Sequence, residues 1–428
     1  MAPAPQRRSR TRRLGASVIG VLMASATLAA CTSSSASTVP TLNFYSFNDP
    51  SGAVQTAVTN CSKQSGGKYT ITYNKLPTSA DDQRLQLARR LAASDPSMDI
   101  LGLDVTWEAE FAEAGWILPW TGTYKQQAEA GTLKVPLQTA TWKGQLVAVP
   151  YNSNTQLLWY RDDLVKTPPK TWDEMISDAE QLAKEGKPHL IEIQGAQYEG
   201  VTVWFNTLVA SAGGSILTPD GSKVSLGQPA VTALGIMKKL ATSTAADPSL
   251  AVQTEDKNRL AMEAGKAAFQ LNYPFVYPSM KANNPELFKH FKWALYPGVT
   301  ASEPAHVTIG GIDMAISAYS PHPDLAFQAA LCLRDRENQL NAAVKGGLPP
   351  TLESLYSDPA MASAYPFHAD ILSALQTASV RPQTPAYQSV SIVISHHVSP
   401  PASIDPPSTE QAMASEINKA LDSKLVIP

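Results

Sequence analysis

The run Val149-Pro-Tyr-Asn-Ser-Asn154, continued by Thr155-Gln-Leu-Leu-Trp-Tyr160, decides how this chain folds. Two strand-like stretches, Gln145–Pro150 and Thr155–Tyr160, flank Tyr151-Asn152-Ser153-Asn154, a polar break suited to a chain leaving one domain for another. Two more breaks lie further on, near Gly298–His306 and at Gly346-Gly347-Leu348-Pro349-Pro350. A single crossing would string two domains like beads. Three crossings imply a hinge between two α/β lobes, with residues 41–152 and 306–350 in one lobe and 153–305 and 351–428 in the other. A deep cleft between such lobes is the default ligand site.

Strand and helix patterns alternate around these breaks. Thr41–Ser46 and Lys68–Leu76 alternate as strands do, and Phe47-Asn48-Asp49-Pro50-Ser51-Gly52 is a turn. Val54–Lys63 and Gln83–Ala93 have helical spacing, and Met98–Val105 is an apolar run of strand length. Trp107, Phe111 and Ala114 step along a helix face, with Glu108, Glu110 and Glu113 expected on its polar side. Trp172–Lys184, Val201–Ser211, Pro229–Thr242 and Asn258–Ala264 read as helices, and Ala267–Tyr273 and His306–Ala318 as strands. Leu325–Gln339 reads as one helix, and Ser408-Thr-Glu-Gln411 as a capping box opening a final helix through Leu421. Such alternation argues for parallel β-α-β units rather than a sandwich.

The 428 residues exceed what one core usually fills, and the 43% hydrophobic content excludes a disordered chain. Residues 1–30 hold five arginines and no acid or lysine, so the rest of the chain carries 29 basic against 37 acidic groups. That acidic balance, with no basic stripe, argues against nucleic acid as a partner. Arg7 to Arg13, the apolar stretch Leu14–Leu28 and Leu28-Ala29-Ala30-Cys31 have the architecture of a secretory signal. The last four residues resemble a bacterial lipobox, which implies lipid attachment at Cys31. The alternative is an ordinary cleaved signal with an incidental cysteine. Residues 31–40, rich in Ser and Thr, then form a flexible tether. The expected location is extracytoplasmic, anchored to the cell membrane. Outside the cytosol two leftover thiols most often pair, so Cys61 and Cys332 are expected to form a disulfide; two buried free thiols are the other reading.

No Walker loop, dinucleotide fingerprint or Gly-x-Ser-x-Gly is present, and the seven histidines have no metal-ligand spacing. His396 and His397 read as solvated loop residues. No cofactor and no metal is expected. Asp104 stands at the carboxyl end of an apolar strand, where open α/β sheets bind ligands; helix N-cap is its alternative role. Glu255, beside a helix start, has the same ambiguity. Tyr273 ends a strand before Pro274 and can present its ring at a cleft edge. A sugar needs an aromatic platform with carboxylates, amides and Arg that each take neighbouring hydroxyls.

Ala212-Gly213-Gly214, Leu217-Thr-Pro-Asp-Gly221 and Met262-Glu-Ala-Gly-Lys-Ala-Ala-Phe269 resemble the extracytoplasmic sugar-binding proteins of ABC importers, and Leu325–Leu340 matches their long return helix. Gln83–Leu91, Asp104–Trp116, Asn154–Tyr160, Val203–Leu208, Val307–Gly311 and Arg381–Tyr387 are similar to the trehalose-binding lipoproteins of actinobacterial importers. The resemblance implies a maltose-binding-protein type of two-lobed fold. It also implies a trehalose-like disaccharide as ligand, ABC permease subunits as partners, and a monomer without enzymatic activity. Carried over residue by residue, it makes Asp104, Asn154, Glu255, Gly310, Gly311 and Arg381 ligand contacts, with Asn48 and Asp49 near a first-loop contact. Tyr273 stands where the family has tryptophan, and Tyr277–Pro297 is shorter than its equivalent. Rival readings are an exported glycosidase using Asp104 and Glu255, the same fold binding other oligosaccharides, polyols or peptides, and a surface adhesin.

Overall fold

A computed structural model describes residues 39–423. The signal segment and Cys31 lie outside the described residues. Among the described residues there are eleven strands: β1 (Thr41–Ser46), β2 (Thr70–Lys75), β3 (Ile100–Asp104), β4 (Thr141–Trp142), β5 (Gln145–Leu146), β6 (Val149–Asn154), β7 (Leu157–Arg161), β8 (Leu190–Glu192), β9 (Ala267–Asn272), β10 (Phe291–Ala294) and β11 (Gly310–Ile316). They form a five-stranded sheet in the order β2-β1-β3-β11-β6, a four-stranded sheet in the order β10-β7-β9-β8, and the hairpin β4-β5. Each of the two larger sheets is the floor of one lobe.

In the first lobe β1 pairs in parallel with β2 and β3, as β-α-β units require. Ile100, Leu101 and Leu103 are fully buried, which explains the unbroken apolar run. The sheets are not purely parallel, however. β11 runs antiparallel to both β3 and β6, and β7 runs antiparallel to both β9 and β10. Two residues, Thr155 and Gln156, join β6 to β7. So short a link cannot carry a crossover within one sheet, and the chain changes sheet instead.

The polar stretch Tyr151–Asn154 therefore lies inside β6 and is not a break. Its backbone pairs with β11 through Gly310↔Asn154, Gly311↔Ser153 and Ile312↔Asn152, which satisfies buried amides that a loop would leave exposed. Gly311 is required there: its φ is +138°, and an added Cβ would stand 2.2 Å from the Asn152 carbonyl oxygen.

The first core packs Phe44, Leu87, Leu91, Phe111 and Trp120 around the five-stranded sheet. The second packs Trp172, Trp204, Phe205 and Phe269 with Val390, Ile394, Met413 and Ile417, so the last two helices belong to the second lobe. A disulfide joins Cys61 to Cys332 across 271 residues, tying helix Ala53–Gln64 to helix Pro323–Leu333 in the first lobe.

Three local expectations are corrected. Leu325–Leu340 is two helices, Pro323–Leu333 and Arg336–Gly346, because Asp335 accepts from the Asn338 N–H at 2.8 Å and caps a new start. The final helix, Pro406–Leu421, is capped by Asp405 accepting from the Ser408 N–H, not by Ser408 itself. His396 and His397 lie in the last turn of helix Tyr387–Val398 rather than in a loop.

Candidate functional site

β3 ends at Asp104, where the sheet stops and the chain turns into helix Glu108–Glu113. The Thr106 hydroxyl donates to Asp104 Oδ1 at 2.9 Å, and the Asp104 carbonyl accepts from the Trp107 N–H. Asp104 therefore stands at the strand end and does not cap the helix that follows. Opposite it, Arg381 comes from the segment that leads into helix Tyr387–Val398 of the second lobe. The guanidinium is 4% exposed. Nη2 donates to Asp104 Oδ1 at 3.0 Å and Nη1 to Glu199 Oε1 at 2.6 Å. A planar fork suits this double engagement as a lysine would not. One arginine thus bridges a carboxylate from each lobe.

Glu199 opens helix Glu199–Ser211 and also accepts from the Tyr387 hydroxyl and, at 2.5 Å, from Ser391 Oγ. Burial raises its carboxyl above the ordinary range, while Arg381 pulls the other way. Glu255 opens helix Glu255–Glu263, and its Oε2 accepts from the Tyr198 hydroxyl at 2.7 Å. Burial raises this carboxyl too, against the Tyr198 hydrogen bond. Asn272, at the end of β9, ties the wall together. Its Nδ2 donates to the Glu255 carbonyl at 3.0 Å, and its Oδ1 accepts from the Tyr273 N–H at 2.8 Å.

Tyr273 is half-buried, and burial raises its phenol first, with the negative charge of Glu255 second. It also lies within electrostatic reach of Arg381, Asp104 and Glu199. A Cβ at Gly310 would stand 3.5 Å from the Asn154 Cβ and 3.8 Å from the Tyr273 hydroxyl. Asp104, Asn154, Glu255, Tyr273, Gly310 and Arg381 thus meet at one lobe boundary. Replacing Asn272 by Ala is expected to cost about 1–3 kcal/mol of stability, because it strands two partly buried backbone groups of that wall. Denaturant unfolding measures it.

The first loop differs. Asp49 Oδ1 accepts from the Ser51 N–H and hydroxyl at 2.9 and 2.6 Å, and Oδ2 from the Val54 N–H at 2.9 Å. Its carboxylate is occupied in starting helix Ala53–Gln64, while Asn48 beside it is exposed. Glu199, Tyr198 and Tyr387 were missed. An acid at a helix start reads as an ordinary dipole partner, and only the fold brings Arg381 to it.

Glu108 corrects another expectation. Glu110 and Glu113 do face outward, paired with Arg84 and with Lys143. Glu108 instead shares the inner face with Phe111, three residues on, and is 2% exposed. It lies beside Asp313 of β11, which is fully buried and accepts from Thr139 Oγ1 at 3.1 Å. Burial and then the Asp313 charge drive the Glu108 carboxyl far up; burial lifts Asp313 to about 7. Arg334 is near enough to oppose this, and its own burial lowers it to about 10.

A cavity of about 250 Å³ adjoins Arg381, Gln383 and Gln138; another, of about 590 Å³, lies away from these residues along helix Trp172–Lys184. Elsewhere, Asp162, Asp163 and His290 cluster within 4.8 Å, but Arg161 holds Asp163 at 2.6 Å and Lys292 approaches Asp162 at 3.8 Å. Among the described residues no helix is long and apolar enough to cross a membrane.

Comparison with known proteins agrees with this architecture. A probable ABC transporter-binding protein of Deinococcus radiodurans is 27% identical over 330 residues, 74% of this chain and 77% of that protein. The diacetylchitobiose-binding protein DasA of Streptomyces coelicolor is 24% identical over 228 residues, about half of each chain. The structure of maltose-bound T. maritima MalE3 superposes with a TM-score of 0.81 at 26% identity, covering 90% of this chain and all of that one. The Streptomyces glaucescens GacH receptor, at 20% identity and a TM-score of 0.78 over 90% of this chain and 98% of its own, shares the fold. The fold is therefore the two-lobed, maltose-binding-protein type, and the relatives are binding proteins rather than enzymes. The family model for bacterial extracellular solute-binding proteins matches residues 62–339, and the chain belongs to that family.

Proposed function

We propose that this chain is the substrate-binding protein of an ABC sugar importer, capturing trehalose or a closely related α-glucoside disaccharide between its lobes and delivering it to the permease. The observation that carries the reading is the Arg381 bridge between Asp104 of one lobe and Glu199 of the other, with Asn154, Gly310, Glu255 and Tyr273 beside it. A disaccharide presents hydroxyls on both flanks and apolar ring faces above and below. Asp104 and Asn154 take hydroxyls from one lobe. Glu255 and Arg381 take them from the other, and Tyr273 offers a ring face. Contacts divided in this way favour closure, and the closed form docks on the permease.

The relatives support a sugar: the comparisons include a diacetylchitobiose-binding protein and a maltose-bound structure. The choice of trehalose rests on the similarity of Asp104–Trp116, Asn154–Tyr160 and Arg381–Tyr387 to LpqY-type trehalose-binding lipoproteins. Cys31 then carries the lipid that holds the protein, as a monomer, on the outer face of the membrane.

Titration calorimetry with trehalose, maltose and sucrose is the test. Trehalose is expected to bind in the micromolar range, on the order of −8 kcal/mol, and more tightly than sucrose. No heat from any of the three would end the disaccharide reading, and a clear preference for maltose would move it to other α-glucosides.

A further inference from the structure

Arg381 is not alone in crossing the boundary. Gln383, two residues on, donates from Nε2 to the Gln138 carbonyl at 3.0 Å and the Thr141 carbonyl at 3.3 Å. Gln388, one residue into helix Tyr387–Val398, donates from Nε2 to Asp81 Oδ1 at 2.8 Å. In all three cases the donor belongs to the second lobe and the acceptor to the first. The helix carrying Gln388 buries Val390 and Ile394 in the second core. The helix carrying Asp81 buries Leu87 and Leu91 in the first. Gln383 meets the Gln138 carbonyl in the last turn of helix Lys134–Thr139 and the Thr141 carbonyl of β4. One short segment, 381–388, thus presents donors from three side chains to four elements of the facing lobe: β3, helix Lys134–Thr139, β4 and helix Ala80–Ala92.

We infer that this segment is a clasp, in which Gln383 and Gln388 set the lifetime of the closed form without choosing the sugar. The inference rests on the proposed binding function and adds a division of labour to it. Arg381 and Asp104 have charges that a disaccharide can share. Gln383 and Gln388 bond to the first lobe itself, so their contribution is the same for any ligand that permits closure. Contacts that form only on closing act on dissociation, because encounter with the open cleft precedes them. Gln388 makes an exposed contact with Asp81, and Gln383 lines the 250 Å³ cavity beside Arg381.

Stopped-flow kinetics with trehalose on the full-length protein tests this. Gln383→Ala and Gln388→Ala are each expected to raise the dissociation rate constant about fivefold and the double variant about twentyfold, with association unchanged within twofold. The order of preference among trehalose, maltose and sucrose stays the same. Asp81→Ala reproduces Gln388→Ala and does not add to it, whereas Asp81→Asn, which retains an acceptor oxygen, behaves as the parent. A double variant dissociating within twofold of the parent overturns the clasp, as does one that alters association alone. A parent that binds none of the sugars defeats the disaccharide reading instead. The clasp is then judged by X-ray scattering: a larger radius of gyration in the double variant supports it, and an unchanged one overturns it.

Discussion

Arg381→Ala is expected to lower trehalose affinity at least a hundredfold, and a variant that binds within threefold of the parent would remove Arg381 from the site. The size of the effect follows from what the side chain leaves behind. At 4% exposure its guanidinium is the cation that meets both Asp104 and Glu199. Breaking one partner from a buried charge pair costs roughly 3–5 kcal/mol, because the remaining charge keeps its desolvation penalty without its compensation. Here two carboxylates are left facing each other. Closure, which brings them together, pays that penalty at the moment of binding. Arg381→Lys falls in between, since an ammonium is a point charge and cannot hold both carboxylates as a fork does. Calorimetry on the two variants, with thermal unfolding as a control for folding, measures this.

The second large effect concerns stability and pH. Asp313 has its carboxyl lifted by burial to about 7, and burial and then the Asp313 charge raise Glu108 beside it well above the ordinary range. An unfolded aspartate titrates near 3.9, so the folded chain holds a proton that the unfolded chain has lost. A raised folded value means that stability is full below the unfolded pKa and falls as pH rises through the folded one. For Asp313 the loss runs from about pH 4 to about pH 7, on the order of 4 kcal/mol, and the raised Glu108 carboxyl adds a loss of the same sign. Asp313→Asn has no proton to lose. It is expected to gain on the parent steadily from pH 4 to pH 7, to exceed it by several degrees in unfolding temperature at pH 8, and to level off beyond. Glu108→Gln shows a gain of the same sign, beginning likewise near the unfolded carboxylate range. Thermal unfolding from pH 4 to pH 9 gives both curves; a difference between parent and Asp313→Asn that does not vary with pH contradicts the buried-pair account.

Local patterns announced the elements well. The apolar run ending at Asp104 is β3, and Trp172–Lys184 is a helix from end to end. Strand direction was less readable. Apolar periodicity reports which faces are covered, and β11 and β7 are covered whether they run parallel or antiparallel to their neighbours. The stretch Tyr151–Asn154 looked like a loop because its side chains are polar. It is a strand because β11 supplies its backbone partners, a contact made 156 residues later in the Asn154–Gly310 pairing. Position at a strand end and a helix start pointed to Asp104 and Glu255, and the family resemblance to Arg381. Neither could show that Arg381 reaches Glu199, since that pairing spans 182 residues. Glu108 failed for a related reason. Three glutamates within six residues read as a wet face, yet helical geometry sends one of them inward against a carboxyl on a distant strand.

The measurement that decides most is a crystal structure of the protein with trehalose bound. The account predicts one disaccharide at the lobe boundary, with Asp104 and Asn154 within hydrogen-bond reach on one flank, Glu255 and Arg381 on the other, and the Tyr273 ring against a pyranose face. A sugar held entirely by one lobe, or seated away from Asp104 and Arg381, would contradict it.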